Sequence, residues 1–436
     1  MGSINRDILA LAWPAIVSNI TTPLLGLVDI AIVGHVGALE LAAIAVGGTM
    51  VSTLYWIFNF LRMGTGGLTA QAYGAHSCRA QRTVLAQSLI IAIGVGLALI
   101  LCRRYIADIG LWLIEADDPT ALTARRYFEI VLPGAPAMLA SYALCGWFLG
   151  MQDSRTPMWM AVVTNLSNIV LSLTFVFGMK MKIEGVAMGT LASQYIGVAV
   201  GCVALHRKYG IGPAAAIRGA DSLTAGMSRF LRVNADIFMR TLCLVAVTLW
   251  FTHAGAGQGS VVLGANALLL QLFMLFSFFI DGFAFSAEAL SGRHYGAGDM
   301  LALRATVRAL AGWGAALALA FAAVYISVGD YILALLTSQS AVRDMAMQYL
   351  PWAALVPAAG VAAFIFDGIF VGLTLTRAML ASMAAAMAVF FAIYTLAPMD
   401  DANDSLWLAF NLYLFMRGAV QFAVYKCVIA RRSPAK

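Results

Sequence analysis

The chain has 436 residues, enough for about two to four ordinary soluble domains, but 62% of its side chains are hydrophobic, 11% are charged, and its mean hydropathy is +0.87. Soluble proteins carry about a quarter charged residues, so 27 basic and 21 acidic side chains are too few to solvate the exterior of a water-soluble body of this size. Disordered, collagenous, coiled-coil and disulfide-scaffold classes are excluded on the same ground, which leaves a polytopic membrane protein.

A helix needs roughly 20 apolar residues to cross the hydrocarbon core. Runs of about that length fall at 8–33, 42–68, 84–101, 127–149, 157–178 and 183–205, and again at 233–253, 260–289, 306–328, 349–372, 378–397 and 406–428. Continuous runs of this kind read as helices, because barrel strands would alternate. The expected fold class is therefore all-α, with 12 transmembrane helices. With the N-terminus inside, inner loops and tails collect about 17 Lys and Arg, among them Arg79, Arg155, Lys208, Arg218, Arg304, Arg377 and Arg431, against about 7 outside. That bias places both termini in the cytoplasm. The net charge of +6 is then a topology signal and not a nucleic-acid footprint. The first apolar run is of span length and lacks a small-residue cleavage pattern, so no cleaved signal is expected. The cysteines at 78, 102, 145, 202, 243 and 427 have no metal or redox spacing and read as small packing residues.

An internal repeat organises the chain. Tyr73-Gly74-Ala75 returns 222 residues later as Tyr295-Gly296-Ala297. At the same offset Tyr127 meets Tyr349, Gly146 meets Gly368, Phe148 meets Phe370, Gly150 meets Gly372 and Arg155 meets Arg377. Each copy holds six spans, so both enter the membrane in the same sense and are related by a pseudo-two-fold axis along the membrane normal. The expected division is a first lobe over 1–205, a cytoplasmic linker over 206–232, and a second lobe over 233–436. Two such lobes can rock about a cavity, which is the geometry of a secondary transporter. The absence of any Gly-Lys dipeptide removes a P-loop ATP motor. No His-Glu-x-x-His and no nucleophile–base pair points to an enzyme.

Carboxylates within spans are expensive and are functional candidates by default. In the first span Asn19, Thr22, Gly26 and Asp29 recur at three- and four-residue steps and form one polar stripe. Pro14 and Pro23 remove backbone donors, so a bend near Pro23 is expected. A carboxyl at Asp29 suits a carrier that takes up and releases protons; a helix-end or headgroup contact is the alternative. Asn165, Asn168 and Ser172 share one face of the fifth span, where they could orient Asp29 and bind substrate or simply glue helices together. Thr190 and Gln194 extend this polar set. In the second half Asp281 and Glu288 lie seven residues apart, Asp367 adjoins the repeated glycine block, and Asp236 and Arg240 are spaced to pair with each other. Arg62 is placed to neutralise a carboxylate or to snorkel.

These residues resemble the multidrug and toxic compound extrusion (MATE) family of cation-coupled antiporters, in particular its DinF-like branch. The likeness is carried by Pro14, by TTPLLGLVDIAIVG from Thr21 to Gly34, and by FLRMGTGGLTAQ from Phe60 to Gln71. It continues in NADIFMRTL from Asn234 to Leu242, DGFAFSAE from Asp281 to Glu288, and DGIFVG from Asp367 to Gly372. The resemblance implies 12 helices in two lobes around a central cavity, and export of cationic amphipathic compounds. It implies that Asp29 is the first-lobe cation-binding carboxylate, with Asn165 and Asn168 in its network. Many relatives carry Asp where this chain has Ser172, which leaves Asp29 as the main first-lobe carboxylate and favours protons over a sodium cage of several charged oxygens. Asp367 matches a span-10 Asp that serves cation coupling in some relatives.

The expected activity is thus proton-coupled multidrug efflux by alternating access. Sodium coupling on the same fold and a lipid-linked flippase are the alternatives within transport, and a membrane-embedded lipid enzyme is the alternative outside it. No cofactor, catalytic residue or metal site is expected beyond transported H+ and, in the alternative, Na+. Partners are small organic cations and membrane lipids, with no nucleic acid. A monomer in a bacterial inner membrane is expected.

Overall fold

The computed structural model describes residues 3–21, 26, 28–34, 36–114, 117–212, 224, 226–396 and 399–427, and carries helical backbone through positions 2, 22–25, 27 and 428–432. Nearly all of it is helix. The helices are α1 (Gly2–Gly34), α2 (Ala38–Ile57), α3 (Phe60–Gly74), α4 (Cys78–Leu101), α5 (Arg103–Ile114), α6 (Asp118–Val131), α7 (Ala135–Gly150), α8 (Arg155–Leu173) and α9 (Ile183–Tyr209). Beyond the inter-repeat segment come α10 (Met227–Ala256), α11 (Ser260–Gly296), α12 (Met300–Leu336), α13 (Ser340–Gly372), α14 (Thr376–Leu396) and α15 (Ala402–Arg432).

Among the described residues, 10 helical stretches are long and apolar enough to cross a membrane. The first and last expected spans fall on α1 and α15, which include positions outside the described set and are not among them. Three expected spans are interrupted. The run 42–68 breaks between α2 and α3 at Phe58 and Asn59; 127–149 is cut by a 3-10 turn at Leu132–Gly134; 157–178 ends in a π turn at Thr174–Gly178. At Leu132–Gly134 the cause is Pro133, which supplies no donor to the helix ladder. The helices of the second half overrun the expected spans because polar turns continue past the apolar stretch. α11 and α12 have 37 residues each, roughly 55 Å at 1.5 Å per residue, against a hydrocarbon core of about 30 Å.

The chain divides into two compact units, one of residues 17–234 and one of residues 1–16 with 235–436. In the first unit α2 packs on α6, α3 and α4 pack on α7, and α8 lies along α9. Its core is filled by Phe128, Trp147 and Phe148, and the Trp147 indole donates to the Gln81 carbonyl at 3.0 Å. In the second unit α13 is the central helix, with two thirds of its apolar window buried, and it packs on α11, α12 and α15. The amides of Asn266 and Asn403 bond each other in both directions at 2.7 and 3.1 Å, and Trp407 adds a third bond to Asn266. Residues 1–16 join this unit through α11, where Ser286 donates to the Ile8 carbonyl at 3.0 Å and Gly282 leaves room for Ile16.

The repeat read from the sequence reappears as repeated packing. A Cβ at Gly146 would strike the Arg62 carbonyl oxygen, and one at Gly368 would strike that of Ala284, 222 residues on. Likewise Gly150 faces the Gly66 carbonyl and Thr69, while Gly372 faces the Glu288 carbonyl and Ser291. Each pair sits at the same offset, so α3 on α7 and α11 on α13 are one helix seam built twice. Glycine is required at both seams because backbone meets backbone with no room for a side chain.

Candidate functional site

Each unit holds a buried carboxylate, and the two have opposite surroundings. Asp29 projects from α1 and is 9% exposed. Its Oδ1 has no hydrogen-bond partner among the described residues. The phenol of Tyr127, from α6, lies within electrostatic reach of Asp29 and within hydrogen-bonding reach of Thr190 on α9. Tyr127 fits there because Gly47 of α2 has no side chain to occupy the space of its ring. The Thr190 hydroxyl accepts from the Asn168 side-chain amide at 2.9 Å and donates to the Val186 carbonyl at 3.0 Å. Ser172, fully buried, donates to the Asn168 oxygen at 3.5 Å. Gly189 leaves the room Ser172 occupies, so α8 and α9 meet closely at this point.

The structure thus gathers Asp29, Asn168, Ser172 and Thr190 around Tyr127. Gln194, one turn beyond Thr190, accepts from the Tyr55 hydroxyl at 3.5 Å and fills the space beside Gly134. Asn165 is half-buried, and its amide nitrogen has no hydrogen-bond partner among the described residues. Asn19 is half-buried on α1. Thr22 and Pro23 lie outside the described residues. Arg62 donates to the Asn59 side chain at 3.3 Å and acts electrostatically on Tyr142 and Cys145.

Asp367, on α13, is 5% exposed and saturated. Guanidinium groups of Arg240 from α10 and Arg417 from α15 both bond its Oδ2, and the Gln421 amide donates to Oδ1 at 2.6 Å. This overturns the expected pairing of Asp236 with Arg240. Asp236 instead accepts from the Thr376 hydroxyl at 2.7 Å, at the start of α14. The reason is burial: Asp367 is the deeper carboxylate and takes the counter-charge, while half-buried Asp236 needs only a hydroxyl. Asp281 is half-buried and acts on Arg417 through space; Glu288 is 2% exposed at the α11–α13 seam.

Sequence reasoning missed Arg417 and Gln421, and noted Tyr127 only as a repeat partner. The signal for the first two was present: a cation and an amide four residues apart, on one face of an otherwise apolar run. Tyr127 carries no such signal, since a tyrosine near a span end reads equally as an interface anchor.

A polytopic helical membrane protein built from a duplicated bundle, with a buried carboxylate in each unit, has the build of a transporter. A model of the MatE family matches residues 14–174 and 236–396, two matches that start 222 residues apart. Over 428 residues the chain is 37% identical to DNA damage-inducible protein F of Escherichia coli, covering 97% of this chain and 92% of that one. It is 23% identical to human Multidrug and toxin extrusion protein 1, over 79% of this chain and 60% of the relative. Its fold matches the bent form of the Vibrio cholerae MATE transporter VcmN with a TM-score of 0.89 at 18% identity, over 99% and 98% of the two chains. The chain belongs to the MatE family. It is an integral membrane transporter and not an enzyme.

Proposed function

We propose that this protein is a proton-coupled efflux antiporter for cationic amphipathic compounds, working by alternating access in a bacterial inner membrane with both termini in the cytoplasm. The observation that carries this reading is Asp29: a buried carboxyl with one oxygen unpartnered among the described residues. A buried carboxylate locked by arginines stays ionised and exchanges nothing. One without a counter-charge can exchange a proton or hold a cation. The names of relatives as multidrug extrusion proteins support the efflux class. Ser172 beside Asn168 supplies a hydroxyl and no second charge, and among the described residues no three His, Cys, Asp or Glu side chains come together. Both favour a proton over a sodium ion, which takes several oxygens including charged ones.

In this reading a proton from outside neutralises Asp29, its bonding with the Tyr127–Thr190–Asn168 chain rearranges, and α1 bends near Pro23. The bend narrows the first-lobe cavity and releases substrate outward. After reorientation Asp29 gives its proton to the inside as new substrate binds. The test is Asp29→Asn in sealed everted vesicles under an imposed pH gradient. The variant is expected to lose gradient-driven dye export, and export at the wild-type rate overturns the reading.

A further inference from the structure

The buried cluster on Asp367 carries more positive charge than it needs. One guanidinium would neutralise the carboxylate, yet Arg240 and Arg417 both engage the same oxygen while Gln421 occupies the other. Arg240 is 8% exposed and Arg417 3%, and the Nε–H of each has no hydrogen-bond partner among the described residues. The hydrogen-bonded core is therefore a net monocation with unused donors inside an apolar unit. Asp281 offsets it only from a distance, through space to Arg417. Phe364 lies under the Arg417 guanidinium at 5.7 Å, and the nearby Tyr413 hydroxyl is bonded to the Met383 sulfur at 3.0 Å. A purely structural clamp gains nothing from the second cation, because burying an uncompensated charge and leaving N–H groups unpaired both cost stability.

We propose that Arg240 and Arg417 form an anion subsite, which takes a carboxylate-type oxyanion carried by an amphiphilic substrate, so that zwitterions as well as cations are cargo. Planar guanidinium forks suit planar oxyanions. The aromatic and thioether surroundings suit the apolar body that bears one. Asp367 serves as resident counter-ion, holding the two arginines together until the ligand's oxyanion shares them. The inference rests on the transport reading and extends its substrate class.

The test uses rhodamine 123, a cationic methyl ester, and rhodamine 110, the same dye as a free carboxylate. Binding of each to the purified full-length protein is read by fluorescence polarisation, with export from everted vesicles in parallel. The readout is the ratio of the two affinities. Arg240→Gln and Arg417→Gln each leave one arginine on Asp367, a balanced pair that keeps the fold, which thermal melting checks. Each is expected to shift the ratio against rhodamine 110 by about tenfold, and Arg417→Lys to restore part of the shift. An unchanged ratio, with rhodamine 123 still bound and exported, overturns the anion subsite and leaves the antiport reading standing. Neither dye being bound or exported strikes the antiport reading and the subsite together. Competition by millimolar chloride or acetate, equal for both dyes, assigns the arginines to a free anion and overturns the substrate role.

Discussion

The side-chain amide of Asn168 donates to the hydroxyl of Thr190 at 2.9 Å, tying α8 to α9 beside the phenol that faces Asp29. Because Thr190 spends its own proton on the Val186 carbonyl, its oxygen is left as the acceptor that orders the group. The bond therefore fixes the direction of the chain that surrounds the carboxyl. Thr190→Val keeps the shape and removes the acceptor. It is expected to slow dye-driven proton exchange several-fold while costing roughly 1 kcal/mol of stability, which stopped-flow pH-dye kinetics and thermal melting would separate.

The glycine seams make a different prediction. Gly146→Ala and Gly368→Ala each force a methyl into a carbonyl oxygen of the facing helix. Overpacking of this kind costs about 1–3 kcal/mol, and since neither helix can retreat without opening its core, the upper end is expected. Both variants should lower the melting temperature measured by fluorescence-detected gel filtration, and by similar amounts, because the two seams are the same construction.

For Asp367 the expected effect is on folding before transport. Asp367→Asn leaves two buried guanidinium groups with no carboxylate, and breaking a buried ion cluster by removing one partner costs about 3–5 kcal/mol. Arg240→Gln should cost much less, since a balanced Arg417–Asp367 pair remains. Comparing the two by thermal melting in detergent tests this; equal losses would contradict it.

Outside the spans, Asp153 gives a pH dependence. Burial works to raise its carboxyl, but bonds from Lys208 at 2.7 Å and from the Thr156 hydroxyl and amide outweigh it and hold the group below its ordinary range. A depressed folded value means the stabilisation is fully present above the unfolded carboxylate range, about pH 4, and is lost as pH falls through the lower folded value. Lys208→Ala should therefore be less stable than wild type at neutral pH, with the difference shrinking as the medium is acidified. Melting curves from pH 7 down to pH 3 would show it.

Much of this molecule was legible from its residues. The apolar runs located the helices, and the constant offset of Gly146 and Gly150 against Gly368 and Gly372 located the seams before any packing was seen. Asp29 stood out because a charge on a polar stripe within an apolar helix has few bland explanations. What the sequence did not carry was partnership between distant helices. Asp236 and Arg240 are ideally spaced on one helix, yet the arginine goes to Asp367, 127 residues away, since relative burial and not sequence spacing decides where a counter-charge is needed. The interruptions at Phe58–Asn59 and Leu132–Gly134 were hidden for a related reason: hydropathy registers apolarity, and both breaks occur inside apolar sequence.

The central claim is that Asp29 carries the transported proton. It is tested most directly by substrate-induced proton release from the purified protein in proteoliposomes, with a panel of organic cations, comparing wild type with Asp29→Asn. The account predicts proton release on adding cation to the wild type and none from the variant. Equal release from both, or cation exchange that follows sodium and moves no protons, would contradict it.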